Sequence, residues 1–357
     1  MDTELKEAAF SGDVGFLKRA VDSKSTGYFL SEYTPSDNNY VGGNIFHLAA
    51  FTKKAEFFRE AMERLPTEVQ QVLFTQSNFN GWNPLLVATW VDDLEIVRLI
   101  LGFYKSNSGL ETKPPSNSDN NDQHLSKPWL GLSKSKKTPL HVAIGIKPNE
   151  ESAMEILSMD TELLCAMVDD EGNSPLFLAV QRGLNSVAEK ILISSSYSVS
   201  GQDGSTPLHF APKCSENVLR LLLEKNLDHF DAVDNKGFNV LHQWAETAEV
   251  WPFNLILEGD FPAVRTKVFT DLMYSITDNK DGDSPLHIAA KSKNADIGQV
   301  LVRGYLQEVG ASEPSELPDC PPWKTKNKNG DTPLHIALSS KHTEQIALHF
   351  LSLDSTL

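Results

Sequence analysis

The chain has 357 residues, of which 40% are hydrophobic, enough for two or three globular domains or one long repeat array. It contains 32 Lys and Arg against 48 Asp and Glu, so the formal net charge is −16. This charge argues against nucleic acid and against a polybasic membrane-surface patch, because both need clustered Lys and Arg. No run of about 18 apolar residues occurs, so we expect no direct membrane span in this chain.

The cysteines and the first residues indicate the compartment. Cys165, Cys214 and Cys320 are widely spaced and form neither a CxxC pair nor a disulfide framework, which favours a reducing environment. The opening MDTELKEAAF is acidic and amphipathic, without the positive and apolar regions of a signal peptide. We therefore expect a cytoplasmic location, either in the cytosol or at the cytoplasmic face of a membrane.

In chain order, residues 1–22 are predicted to form an N-terminal capping pair of short helices around the turn at residues 11–13. Residues 41–104 contain two similar segments, GGNIFHLAA at 42–50 and NGWNPLLVA at 80–88. Each is followed by an apolar stretch with helical periodicity, as in LEIVRLILGF at 94–103. This region is predicted to consist of two helical repeats.

Residues 105–137 interrupt the pattern with a Ser-, Asn-, Lys- and Pro-rich composition, which predicts a flexible insertion loop. The loop is locally basic, with Lys127, Lys134 and Lys136 among its residues. Because Ser133 and Ser135 lie between lysines, a regulatory role is one interpretation. A surface insertion without a specific role is the other.

Residues 138–357 return to the repeat pattern, which opens with TPLH at residues 138–141. The proline position of the motif falls at residues 139, 175, 207 and 240, with spacings of 36, 32 and 33. It then falls at residues 285 and 333, after longer spacings of 45 and 48. Eight motif repeats and the N-terminal helix pair can be recognised in the whole chain.

The motif combines a tight turn with a helix start. Asp281-Gly282 supplies the turn, because Gly accepts positive φ and Asp bonds its own backbone. A hydroxyl directly before a proline, as in Thr332-Pro333, is typical of a helix N-cap with Pro at the first helical position. Each copy is therefore predicted to begin a helix directly after a turn.

These motifs resemble the ankyrin repeat, whose signature is T-P-L-H-x-A at a period near 33 residues. The resemblance implies an all-α solenoid of stacked helix-turn-helix units with β-turn fingers, about eight to nine repeats long. It also implies a non-catalytic protein–protein interaction module. In this family the motif histidines tie one turn to the next by hydrogen bonds, which we expect of His47, His141, His209, His242, His287 and His335.

A narrower resemblance is carried by the opening 21 residues, by GGNIFHLAA and by DNKDGDSPLHIAAK. These segments are similar to plant ankyrin membrane proteins of the accelerated-cell-death type. That resemblance implies a role in defence signalling, or a soluble recognition half or truncated form of a membrane-anchored protein. The last helix, with Ile346 and Phe350, has no polar outer cap after it, so we expect a membrane-domain or oligomeric partner at this end.

Candidate partner-binding residues are those expected at the finger tips, together with Trp244, which replaces the usual Ala. At Trp244 either the helix is displaced or an aromatic patch is formed with Trp251 and Phe253. Trp82 and Phe238 stand out, because each follows a Gly where Asp or Asn is usual, and exposed aromatics are favoured at binding hot spots. Packing of both rings on an adjacent finger is the alternative. Acidic tips suggest a basic protein partner. The full set of candidates is Trp82, Asp170, Asn173, Asp203, Phe238, Trp244 and Asp283.

No catalytic motif was recognised, whether GxSxG, a Walker A loop, HExxH or GxGxxG. Paired carboxylates such as Asp92-Asp93 lie in predicted turns, where solvated acids are ordinary. We therefore expect no enzymatic activity, no cofactor and no metal.

Overall fold

A computed structural model describes residues 1–32, 42–107, 127–225, 229–247, 249–277, 281–292, 295–310, 318, 320–339 and 344–353. The chain divides into two compact units, Met1–Ser198 and Val199–Leu357, here called unit 1 and unit 2. Within the described residues the regular structure is helical and contains no β-strand. The predicted all-α class is confirmed.

Unit 1 consists of helix pairs with short additional helices between some of them. The α-helices described in it are α1 (Thr3–Ser11), α2 (Val14–Ser23), α3 (Thr26–Phe29), α4 (Ile45–Phe51), α5 (Ala55–Arg64), α6 (Thr67–Thr75), α7 (Pro84–Val91), α8 (Leu94–Ser106), α9 (Pro139–Gly145), α10 (Glu150–Leu157), α11 (Thr161–Ala166), α12 (Pro175–Arg182) and α13 (Asn185–Leu192).

Unit 2 continues the same alternation. Its described α-helices are α14 (Pro207–Phe210), α15 (Glu216–Lys225), α16 (Val240–Thr247), α17 (Trp251–Glu258), α18 (Pro262–Thr266), α19 (Pro285–Lys291), α20 (Ala295–Val309), α21 (Pro333–Leu338) and α22 (Glu344–Leu353). A π-helical turn at Lys267–Asp271 and a 3-10 turn at Leu272–Tyr274 follow α18.

Each unit is a two-layer stack. In unit 1 the first helices of successive repeats, α1, α4, α7, α9 and α12, pack side by side, and the second helices α2, α5, α8, α10 and α13 do the same. In unit 2 the corresponding layers are α14, α16, α19 and α21, and α15, α17, α20 and α22. A single helix pair could not bury its apolar face, so stacking is what provides a continuous core.

The helix starts are those that the motif predicts. Thr138 and Thr332 are N-caps whose side chains accept the amides of His141 and His335, and a proline follows each at the first helical position. Each histidine side chain in turn reaches back to the N-cap residue, completing a capping box. All eight motif openings begin a helix.

The motif histidines connect successive repeats, as the family resemblance implies. The Nδ1 atom of His47 accepts the Asn44 amide at 3.1 Å, so the proton is on Nε2. That nitrogen donates to the carbonyl of Trp82, one repeat further along, at 2.8 Å. The same long-range bond joins His141 to Asn173 O, His209 to Phe238 O, His242 to Asp283 O and His287 to Asp331 O. The expected structural role of these five histidines is confirmed.

Burial also keeps these imidazoles neutral. It lowers the pKa of His47, His141 and His242 to about 4, because an imidazolium would lose its solvation there. Burial lowers the pKa of His209 and His287 as well. The repeat-to-repeat connection is therefore built from neutral rings.

The predicted flexible insertion at residues 105–137 is wrong at its two ends. Helix α8 continues to Ser106, and residues 128–130 form a 3-10 turn that buries Trp129 against Tyr104, with ring centroids 5.3 Å apart. Ser133 closes a finger by accepting the Lys137 amide, at 3.0 Å. The contact between Trp129 and Tyr104 holds the C-terminal end of this mostly polar segment against the helix stack. Residues 108–126 lie outside the described residues.

Trp244 is buried because the neighbouring repeat makes room for it. Helix α14 is short, since Pro212 has no amide to continue it, and a 3-10 turn follows at Ala211–Lys213. The indole N–H of Trp244 donates to the carbonyl of Leu208 at 2.7 Å, and its ring packs on Phe230 and Phe253. A bulky residue in the usual Ala position therefore fills the space beside the shortened helix.

Candidate protein-binding surface

The finger that carries Trp82 is a five-residue turn closed by its first side chain. In the finger at residues 78–82, the Asn78 amide donates to Trp82 O at 2.8 Å. The Asn78 Oδ1 atom accepts the amides of Asn80 and Trp82 at 2.9 and 3.0 Å. Gly81 completes the turn with a φ of 77°, a conformation that a side chain would disfavour. The fingers are therefore compact projections of defined geometry.

Adjacent fingers are hydrogen-bonded to each other. The Lys134 amide donates to Asn80 O at 3.2 Å, and the Asp170 amide donates to Ser135 O at 3.1 Å. In unit 2 the Asn235 amide donates to Asp203 O at 2.8 Å. These bonds place successive tips side by side within each unit.

Most of the predicted acidic tip charge is already paired. Asp170 is exposed, and its carboxylate lies 3.0 Å from Lys136 Nζ on the preceding finger. Glu171 lies 3.1 Å from Lys137 Nζ. Asp203 is exposed, and no ion pair is recorded for it in the part of the chain that the structure describes. Asp203 is thus the candidate acidic tip that keeps its charge uncompensated.

The prediction of exposed binding side chains is wrong at Asn173 and Asp283. Both lie at the base of a finger, where the chain must satisfy several buried polar atoms. Asn173 is buried, and its amide donates to Asp169 Oδ1 at 2.8 Å. Asp283 is 1% exposed, and its carboxylate pairs with Lys291 and accepts Asn327 Nδ2 at 3.0 Å. Both side chains act within the array.

The same correction applies to Phe238 and Trp244. Phe238 is 8% exposed and packs against the ring of His242, with centroids 5.5 Å apart, so the alternative of internal packing describes it better. Trp244 is fully buried, as described above. Neither ring is available to a partner.

Trp82 belongs to a half-buried aromatic cluster in unit 1. Its ring centroid lies 5.3 Å from that of Trp90, with a 55° tilt. Trp90 in turn stacks nearly parallel to Phe51, with centroids 6.3 Å apart and an interplanar angle of 8°. All three side chains are half-buried. We call Phe51, Trp82 and Trp90 the aromatic cluster.

Sequence reasoning missed Phe51 and Trp90, although a signal was present. Each lies seven residues after its N-cap, Asn44 and Asn83, near the end of a first helix. Equivalent positions in adjacent repeats lie next to each other in a stacked array, so two aromatics at one position predict a contact. Aligning the repeats by their N-caps would have shown it.

Residues 258–352 match the family model described as ankyrin repeats, in three copies. No curated protein matches the chain significantly. The stacked helix pairs of both units are those of an ankyrin-type repeat array. Such arrays are typically non-catalytic and bind other proteins.

Among the described residues, no helix combines the length and apolarity needed to cross a bilayer. In the same part of the chain, His, Cys, Asp and Glu side chains form no group of three or more suited to a metal ion.

Proposed function

We propose that this chain is a protein-interaction module whose main contact in unit 1 is the aromatic cluster. The observation that carries this proposal is the continuous half-buried surface of Phe51, Trp82 and Trp90 beside the finger row. Large aromatics on a rigid scaffold provide binding area at low entropic cost, and they dominate measured hot spots. Helices α4 and α7 supply that scaffold.

The expected basic character of the partner rests on fewer groups than the net charge suggests. Finger acids such as Asp170 and Asp283 are paired internally. Asp203 in unit 2 is exposed, and the formal charge of −16 still attracts cations at long range. We propose that a basic segment of a partner would interact with unit 2 near Asp203.

Replacing Trp82 or Trp90 with Ala is expected to weaken partner binding by about 30-fold, the loss typical of a hot-spot aromatic. The melting temperature should fall by only a few degrees, because both rings are half-buried. Binders would be selected from a random displayed-peptide library against the native chain. Their Kd values for each variant would then be measured by fluorescence anisotropy.

Trp251→Ala is the matched control, because Trp251 is also half-buried but begins helix α17 in unit 2. This variant should leave unchanged the affinity of the selected peptides that bind the aromatic cluster. Equal affinities for the native chain and both cluster variants would contradict the proposal.

We propose as a second candidate that the array is the recognition part of a membrane-anchored defence-signalling protein. The resemblance of residues 1–21, 42–50 and 278–291 to plant accelerated-cell-death-type proteins supports it. The native protein would be fractionated from its source tissue and its intact mass determined. Recovery with membranes, at a mass well above 39.5 kDa, is the expected result. Recovery in the soluble fraction at 39.5 kDa would contradict this candidate and leave the first one standing.

A further inference from the structure

The aromatic cluster ends at a position without a side chain. The residues seven positions after the N-caps of four successive repeats are Phe51, Trp90, Gly145 and Gln181. The first two form a parallel stack. At the third position Gly145, the last residue of α9, contributes no side chain. The row of stacked groups therefore has no side chain at the position that follows Trp90.

The residues that define this part of the surface belong to three successive repeats. Phe51, from the repeat before these, stacks on one face of Trp90, and helix α7 of Trp90 packs beside helix α9 of Gly145. The ring of Trp82, which belongs to a finger, packs against the ring of Trp90 with an interplanar angle of 55°. Leu178, which is 7% exposed, lies behind Gly145. We call the surface formed by Trp82, Trp90, Gly145 and Leu178 the slot.

A cation lies at the edge of the slot. Arg182 is exposed and donates from Nη2 to the carbonyl of Gly145 at 2.9 Å, which holds its guanidinium there. Within the described residues it has no carboxylate partner. Six other arginines are paired with glutamates: Arg59, Arg64, Arg98, Arg220, Arg265 and Arg303. Arg182 thus retains donors that can take a carboxylate from another molecule.

We propose that the slot binds a peptide segment in which an aromatic side chain is next to a carboxylate. The ring would continue the stack on Trp90, where Gly145 leaves room for a planar group. The carboxylate would pair with Arg182, whose planar donors suit that geometry. This proposal rests on the proposed function of the aromatic cluster, and it assigns acidic rather than basic chemistry to the partner at this point.

Gly145→Leu is the discriminating variant. A Cβ at this position meets Leu178 only at ordinary contact distances, 3.5 and 3.8 Å, and the residue lies in a helix without positive φ. Leucine also favours helix more than glycine does, so the melting temperature should stay the same or rise. Because the new side chain would fill the slot, binding should weaken by at least about tenfold.

Gly102→Leu is the matched control, because Gly102 is also helical, in α8 of the same unit, and a Cβ there meets nothing within 4 Å. It should share the gain in helix propensity while leaving binding intact. Arg182→Gln should weaken binding of an aromatic peptide that carries carboxylates, because it removes the guanidinium.

The probes are the capped tripeptides Glu-Tyr-Glu, Lys-Tyr-Lys and Glu-Leu-Glu, titrated while the tryptophan indole N–H signals are followed by NMR. Shifts of the Trp90 signal with Glu-Tyr-Glu alone, lost in Gly145→Leu, are the expected result. A preference for Lys-Tyr-Lys, or equal binding by Gly145→Leu, would overturn the slot proposal.

The library-selected binders separate the two proposals. If Trp90→Ala abolishes their binding but Gly145→Leu and Arg182→Gln do not, the aromatic cluster is a binding surface and the slot is not. If Trp82→Ala and Trp90→Ala also have no effect, both proposals fail.

Discussion

Acidification from pH 7 to about 4.5 is expected to destabilise the array strongly. The folded state holds His47, His141 and His242 at a pKa of about 4, whereas an unfolded chain would titrate them near 6.5. Between these values the unfolded state binds more protons, so stability is lost as the pH falls. Each histidine contributes about 1.4 kcal/mol per pH unit in that window, or roughly 4 kcal/mol per unit for the three. His209 and His287, whose pKa values are also lowered by burial, add to the same trend.

The measurement is urea unfolding at a series of pH values between 7 and 4.5. The control is His141→Leu, because Leu86 occupies the equivalent position in the preceding repeat of this chain. This variant should be less stable at pH 7, since the carbonyl of Asn173 loses its donor, but its pH dependence should be flatter by about one proton. An unfolding free energy that stays constant from pH 7 to pH 5 would show that the buried histidines do not control acid stability.

Trp244→Ala is expected to lower the free energy of unfolding by about 3–5 kcal/mol, the range for removing a large buried aromatic. The ring is fully buried between Phe230 and Phe253, and its N–H satisfies Leu208 O. Truncation to Ala would leave a cavity beside the short helix α14 and remove the hydrogen bond to Leu208 O. Chemical denaturation followed by circular dichroism would measure the loss.

A second variant separates packing from hydrogen bonding. Trp244→Phe keeps a ring but removes the indole donor. It should lower the free energy of unfolding by less than Trp244→Ala does, because it leaves a smaller cavity. Trp82→Ala, at a half-buried ring, should cost the least of the three. If Trp244→Ala were no more harmful than Trp82→Ala, the packing explanation of Trp244 would be wrong.

The array architecture could be predicted because each of its determinants is local. A turn, a capping hydroxyl or amide, a proline and an apolar helix face lie within a dozen residues, as at Thr332–Leu338. Such signals act through neighbouring backbone atoms, so they can be recognised without knowledge of the rest of the molecule. The histidine connections were predictable for a related reason, since their position in the motif is the same in six repeats.

The exposure of individual side chains was decided only by the tertiary structure. Asn173, Phe238 and Asp283 hold turn positions typical of exposed residues, yet each supplies its carbonyl to a histidine of the preceding repeat and has a buried side chain. Trp129 is held by Tyr104 across the insertion, at a sequence distance that no local pattern spans.

The same distinction applies to the candidate site. Trp82 was visible in the sequence as an unusual residue after Gly81, but Phe51 and Trp90 join it only when the repeats are stacked. Local chemistry determined that this chain forms ankyrin-type repeats, because caps and turns act within one repeat. Which side chains reach a partner depends on the contacts that each repeat makes with the next, and those contacts exist only in the folded stack.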